Sequence, residues 1–374
     1  MKHLSLHSLS LPLIPFLSLI LASPFLFSCA GNDSKNDTTN ADSLPDIIVD
    51  ARQDSIRHTP DYIAQRIDTF YKYKDDMRFC SAHYLLLDAQ AGKLSHELGY
   101  VYRDYDHWIA GQDIDPKWSY KTKAIKDIKE ATATVEMTIH NFSNRRIILN
   151  LVYERGDWFV DDFRTSFSGK KDLSEVSEKS DMLTFIYDCS HQKLDEKYGP
   201  TFDIHKYLDD MKSVANPMVV VEEDGSTIVY DQYALIDIDL DGKPEVWVKS
   251  TDQYYDAVFS ISGDKVEMLA EGNGHTVLAF FENGVGSQGS CGTGCAHAEY
   301  CILKDSRPAC RTSWIDQYNM NNERMESESG YTVNGKECSE EEYQKVQSEI
   351  GEYVTFNPIW HPINNTKKLS DYAE

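Results

Sequence analysis

Asp237, Asp239 and Asp241 alternate with Ile238 and Leu240, Gly242 follows, and Lys243, Pro244 and Glu245 close the run before Val246. A hard cation such as calcium takes about six to eight oxygen ligands. Carboxylates at the first, third and fifth positions, with glycine at the sixth, let a chain wrap that ion while its apolar residues face inward. The Lys243 carbonyl falls at the seventh position and Glu245 at the ninth, whereas the twelfth is Val248 and offers no carboxylate. Apolar runs on either side predict strands as flanks, so the ion would join two strands and neutralise clustered aspartates. That is a folding role, not a catalytic one. The competing reading is a bare acidic turn.

A second segment, Gly284 to Cys301, reads GVGSQGSCGTGCAHAEYC. Gly284, Gly286 and Gly289 have the spacing of a dinucleotide fingerprint, but no helix-forming run opens at the third glycine. Cys291, Cys295, His297 and Cys301 are a zinc alternative without a paired Cys-x-x-Cys. In an oxidising compartment Cys291, Cys295, Cys301 and Cys310 pair as disulfides that pin a glycine loop, with the connectivity open. Gln288 to Gly292 resembles the segment before the nucleophile of papain-like cysteine proteases. That resemblance implies a thiol hydrolase using Cys295, although Cys295 falls one residue late and Ala296 stands where the family has an aromatic. The acidic run, for its part, resembles the strand-loop-strand calcium loops of integrin-type and propeller-like repeats, in which an acid at the ninth position closes the site.

The elements that must hold these residues follow from periodicity. Pro60, Asp61 and apolar Ile63, Ile67 and Phe70 predict a helix, and a second spans Arg78 to Ala91. Three segments of period two come next: Ala133 to Ile139, Ile147 to Tyr153, and Trp158 to Phe163, the last two joined by a hairpin at Arg155-Gly156-Asp157. Helices followed by an antiparallel meander predict an α+β layer over 55–168. The element order, the segment DYDHWIAGQD from Asp104 to Asp113 and the ending LVYERGDWFVDDF from Leu151 to Phe163 resemble an uncharacterised bacterial envelope domain related to the nuclear transport factor 2-like cone. The resemblance implies a curved sheet around a cavity, with Asp104, Asp106, His107 and Asp113 at its mouth and His140 pointing in. From the residues themselves, the aspartates cap turns and the Thr132, Thr134, Glu136, Thr138 and His140 face is solvent side.

Residues 169–180, charged and Ser-rich, are read as a linker. Over 181–374 a helix from Asp181 to Tyr198 precedes strands at Met218–Val221, Tyr233–Leu240, Val246–Lys249, Ala257–Ile261, Val266–Leu269 and Thr276–Phe281. A hairpin at Asn334-Gly335 and a helix capped by Ser339 and Glu342 follow, giving a mainly antiparallel β second domain with flanking helices.

The first 28 residues read as a leader: Lys2 and His3, then an uncharged run from Leu9 to Phe27 interrupted by prolines. Leu26-Phe27-Ser28-Cys29 resembles a bacterial lipobox. It implies lipidation of Cys29 by palmitate-type acyl chains, which anchor firmly when two or more are present. Residues 29–54 form a polar tether. Such a tether resembles those of outer-membrane lipoproteins of the Bacteroidota, placing the body at the outer membrane on the periplasmic or the surface face. With 37 basic against 61 acidic side chains and a net charge of -24, the chain gains nothing from phosphate contacts, which argues against nucleic acid.

Taken together, the sequence predicts a lipid-anchored envelope protein that binds a protein or glycan partner without chemistry, with Tyr254-Tyr255 as one contact patch. The alternatives are an envelope enzyme, using either an acid/base group in the first domain or Cys295, and an immunity-type inhibitor whose acidity masks a basic toxin.

Overall fold

Thr59 caps the first helix by accepting a hydrogen bond from the Tyr62 amide, and Pro60 occupies the first turn, where its missing N–H costs nothing. Helix α1 (Pro60–Tyr73) buries Ile63, Ile67, Phe70 and Tyr71, and stops at Lys74 in the left-handed region. The expected second helix is split. A single turn, α2 (Asp76–Phe79), ends at Cys80, and Ser81 caps a new start for α3 (Ala82–Leu98) by accepting from the Tyr84 amide. The break arises because the Ser81 N–H is taken by the Val160 carbonyl of a strand, so it cannot continue a helical ladder.

The computed structural model describes residues 55–165, 176–214, 230–251, 255–263, 265–319, 323–325 and 329–363. The expected leader, lipidation site Cys29 and tether, the expected strand Met218–Val221, and Tyr254 lie outside these residues.

Strands β1 (Ser119–Lys126), β2 (Thr132–Asn141), β3 (Ser143–Glu154), β4 (Asp157–Thr165) and the two-residue β5 (Val176–Ser177) form one antiparallel sheet in chain order. Along β2, Ala133, Val135, Met137 and Ile139 are buried while their neighbours are more exposed. That face packs with Trp158, Val160 and Phe163 of β4 against α1 and α3. The bend at Asn150/Leu151, where β3 and β4 slip register, turns the sheet around the helices.

Helix α4 (Glu178–Tyr198) closes this layer with Met182, Leu183, Ile186 and Tyr187. The segment expected as a linker over 169–180 therefore ends inside ordered structure. Lys179 donates its N–H to Asp162 at 2.9 Å and its ammonium to Asp161 and Glu352. The lysine itself is buried, and its charge is spent on these two more exposed carboxylates.

Beyond α4 lie α5 (His205–Val214) and two antiparallel sheets. One has the order β17 (His361–Pro362), β6 (Gln232–Ile236), β7 (Glu245–Ser250), β8 (Tyr255–Ser262), β9 (Lys265–Gly272). The other has the order β15 (Lys336–Cys338), β14 (Gly330–Val333), β13 (Arg307–Gln317), β12 (Cys295–Lys304), β11 (Gly284–Gly292), β10 (Thr276–Phe281), β16 (Tyr353–Val354). Their facing sides bury Ala234, Ile236 and Val258 against Phe280, Val285, Cys301 and Leu303. On its far side the first sheet rests Leu235, Val246, Val248 and Phe259 against Met211 of α5.

The glycine segment is thus a pair of strands, not a loop. A Cβ at Gly286 would strike the Glu299 carbonyl at 2.6 Å, so glycine there is demanded by close strand approach. Helix α6 (Glu340–Gln347) begins as expected at Ser339, which accepts from the Glu342 amide. The described architecture is α+β: helices with a sheet first, then a larger antiparallel β region flanked by helices. Residues Ala51–Glu374 form one compact unit, and among the described residues no helix is long and apolar enough to cross a membrane.

Candidate metal centre

Ile236 pairs with Glu245 across β6 and β7, so the acidic run becomes the connection between two core strands. The chain turns there with φ of 53° at Leu240 and 81° at Gly242, the second of which favours glycine. One carboxylate oxygen from each of Asp237, Asp239 and Glu245 lies within 4.8 Å of the other two. Asp237 and Glu245 are almost wholly buried, at 1% and 0% exposure.

Each of these three carboxylates uses one oxygen to fix its orientation and leaves the other bare. Asp237 Oδ2 accepts from Ser190 Oγ at 2.9 Å and from the Gly242 N–H at 3.1 Å. Asp239 Oδ2 accepts from the Ser306 N–H at 2.8 Å, and Glu245 Oε2 from the Ile238 N–H at 2.9 Å. Asp237 Oδ1, Asp239 Oδ1 and Glu245 Oε1 are buried with no hydrogen-bond partner. Burying bare carboxylate oxygens together is costly without a counter-charge, by several kcal/mol per ion as a rule (~20 kcal/mol in the idealised limit). Burial pushes Glu245 up to about 8 and Asp237 up to about 6, against the pull of their backbone and serine donors, and it raises Asp239 as well. A bound cation removes this penalty, and an all-oxygen donor set selects a hard one.

Of the residues expected at the loop, Asp237, Asp239 and Glu245 converge, while Asp241 and Lys243 pair with each other. Asp241 Oδ2 meets Lys243 Nζ at 2.5 Å, and Asp241 Oδ1 accepts from the Lys243 N–H and from Ser306 Oγ. Burial acts upward on Asp241, but these donors prevail and hold its pKa below the usual carboxylate value. Sequence reasoning missed Ser190 and Ser306, which pin two of the ligands. They come from α4 and from the β12–β13 turn, too distant in the chain for any motif to signal them.

Cys291 and Cys295 form a disulfide across the β11–β12 turn, with Cα atoms 5.1 Å apart. A bond to Cys291 leaves Cys295 without the thiolate a hydrolase requires. Cys301 and Cys310 do not pair. Cys310 stands opposite Ile302 and Cys301 opposite Arg311, which puts the two thiols on opposite faces of the sheet, and Cys301 is sealed in the inter-sheet core. The zinc set is likewise dismantled, and the Gly284-Gly286-Gly289 spacing lies along a strand. Because the disulfide closes a loop of only a few residues, replacing both cysteines by serine is expected to cost at most about 2 kcal/mol, read by urea unfolding. A larger loss would mean that the bond holds more than its own turn.

In the first layer the helices pack their apolar side chains on the sheet, and of the residues expected at a cavity mouth Asp106 and His107 line an open pocket of about 560 Å³ with Asp76, Arg103 and Trp108. The Asp106 carboxylate accepts from the Trp108 N–H and that of Asp104 from Gln112, while His140 lies on the outer face of β2 beside Asn144. His107 is the exception. It is 4% exposed, with Nε2 at 2.9 Å from Asp76 and Nδ1 at 3.5 Å from Glu178. Arg103 bridges Glu178 at 3.0 Å and Asp88 at 2.9 Å, and Tyr84 donates to Glu178 at 2.9 Å. Burial opposes a charge on His107, but the carboxylates of Asp76 and Glu178, as hydrogen-bond acceptors and as charges, outweigh it and lift its pKa to about 9. With Nε2 on Asp76 and Nδ1 between Glu178 and the Arg103 guanidinium, 3.1 Å away, both ring nitrogens are engaged and His107 is placed as a structural group, not as a general base.

Comparison with protein-family models, with curated proteins and with solved structures finds no match to this chain.

Proposed function

We propose that this chain is a lipid-anchored cell-envelope binding module whose β region is held together by a calcium ion. The observation that carries the ion is the trio of buried, bare oxygens on Asp237, Asp239 and Glu245. Calcium suits them better than magnesium. It tolerates irregular oxygen shells, whereas magnesium demands near-octahedral geometry and gives up water reluctantly. At an affinity of ~10⁻⁴ to 10⁻³ M, as in extracellular modules, the site fills outside the cytoplasm. Backbone carbonyls and water complete the shell. Bound there, the ion joins β6, β7, α4 and the β12–β13 turn. Its work is structural, and the protein's function is binding of a protein or glycan partner.

The anchor rests on Leu26-Phe27-Ser28-Cys29 behind an uncharged leader. Outer-membrane residence in a Bacteroidota-like envelope, and a first layer of the nuclear transport factor 2-like type, belong to the same reading. The helices wrapped by a bent antiparallel sheet support the latter. Cells fed an alkyne-tagged palmitate are expected to label the wild-type chain and retain it in the membrane fraction. Cys29→Ser is expected to abolish the label and release the chain. Label that persists in Cys29→Ser, or is absent from the wild type, refutes the anchor.

A further inference from the structure

At one end of the two β sheets, β7, β8, β10 and β16 border an open groove of about 800 Å³. Its walls are aromatic. Phe280 sits in the core, Trp247 packs on it with ring centroids 4.7 Å apart, and Tyr255 and Tyr353 continue outward, Tyr353 being 56% exposed. Among the described residues lining the groove, the charged side chains are Asp256 and Lys249, one of each sign. Asp256 Oδ2 accepts the Trp247 indole N–H at 3.1 Å, and no donor among the described residues reaches Oδ1. Lys249 Nζ lies 3.8 Å from the centre of the Trp360 ring.

We infer that this groove is a carbohydrate-binding site for a neutral glycan. A sugar ring presents an apolar C–H face, which stacks on an aromatic ring, and a rim of hydroxyls, which need acceptors and donors. The groove offers both: the exposed Tyr353 and the half-buried Tyr255 and Trp247 line it, with polar groups at Asp256, Lys249 and Asn273. The lining carries one charge of each sign, so neither an anionic nor a cationic ligand is favoured. A cation would also find the Trp360 face already taken by Lys249. An acyl chain would have to bury a carboxylate and an ammonium without partners. The inference deepens the proposed binding role and rests on it, but not on the anchor or on calcium.

The test is a printed glycan array of neutral, N-acetylated and sialylated or sulfated oligosaccharides, probed with the full chain in detergent. Hits are followed by titration calorimetry with the winning oligosaccharide. Binding confined to neutral or N-acetylated glycans is expected, with affinity falling at least tenfold in Tyr353→Ala and in Asp256→Asn. Tyr353 is surface-exposed, so its variant keeps the fold, which circular dichroism verifies. No bound glycan, binding only to anionic glycans, or binding indifferent to both substitutions overturns the inference. Failure of the palmitate experiment leaves these outcomes untouched, which separates the two readings.

Discussion

Glu245→Gln is expected to change thermal stability with opposite signs in calcium and in chelator. With the ion removed and the pH held at about 9, above the value of about 8 to which burial raises Glu245, three ionised carboxylates face one another, and a neutral amide of the same shape relieves that repulsion. The variant then melts a few degrees above the wild type. With calcium present the order reverses. A ligand that binds only the folded state at about one hundred times its dissociation constant contributes about 2.7 kcal/mol. For domains of about 150–250 residues each kcal/mol moves the melting point by about 2–4 °C, so the wild type gains several degrees and the variant close to none. Asp237→Asn behaves alike, since Asp237 is equally buried. Differential scanning calorimetry in about 10 mM calcium, about 10 mM magnesium and excess EGTA checks this. Superimposable wild-type melts in all three would remove the cation from the site and leave an acidic turn.

Removing Glu178 is the second large effect. Glu178→Ala takes away one of the three carboxylates around Arg103 and His107, together with the acceptor of the Tyr84 hydroxyl, and is expected to cost about 3 kcal/mol, the low end for a broken buried pair because Asp76 and Asp88 remain. The pH profile gives a finer test. The folded pKa of His107 stands near 9 against an ordinary 6.5, so its contribution is complete below about 6.5 and is lost as pH rises through about 9. Wild-type stability should therefore fall on the order of 2–3 kcal/mol more than that of His107→Gln between these limits, read as urea midpoints at constant slope. Parallel pH profiles in the two chains would show that His107 is neutral in the fold.

The parts of this structure legible in the sequence are those that local physics decides. Pro60 with apolar residues at three- and four-residue steps marks α1. The alternation of Ala133, Val135, Met137 and Ile139 marks β2, and Ser339 marks α6. Strand β1 escaped because it lies at the sheet edge, and its half-buried face of Tyr120, Thr122 and Ala124 between lysines gives SYKTKAIK only a weak apolar alternation. Strand β11 escaped because glycines that admit a close neighbour look, in one dimension, like a loop. The acidic run announced its chemistry through spacing alone, but not that Asp241 would turn to Lys243, because that choice depends on Ser306 arriving from another sheet. The cysteines were legible as oxidisable, and only strand register separates the pair that bonds from the two that face apart.

Helix α4 has a consequence for the order of events during synthesis. Glu178 completes the charge network of the first layer, Tyr187 reaches the Ile238 and Glu282 carbonyls of later strands, and Val354 fills the core begun by Ile63. The nascent chain can form α1, α3 and the β2–β4 meander early. It cannot seal them until residues near its far end have left the ribosome. Closure must therefore wait on contacts of long sequence separation, which fold slowly, and a half-made chain exposes an open apolar face throughout that interval.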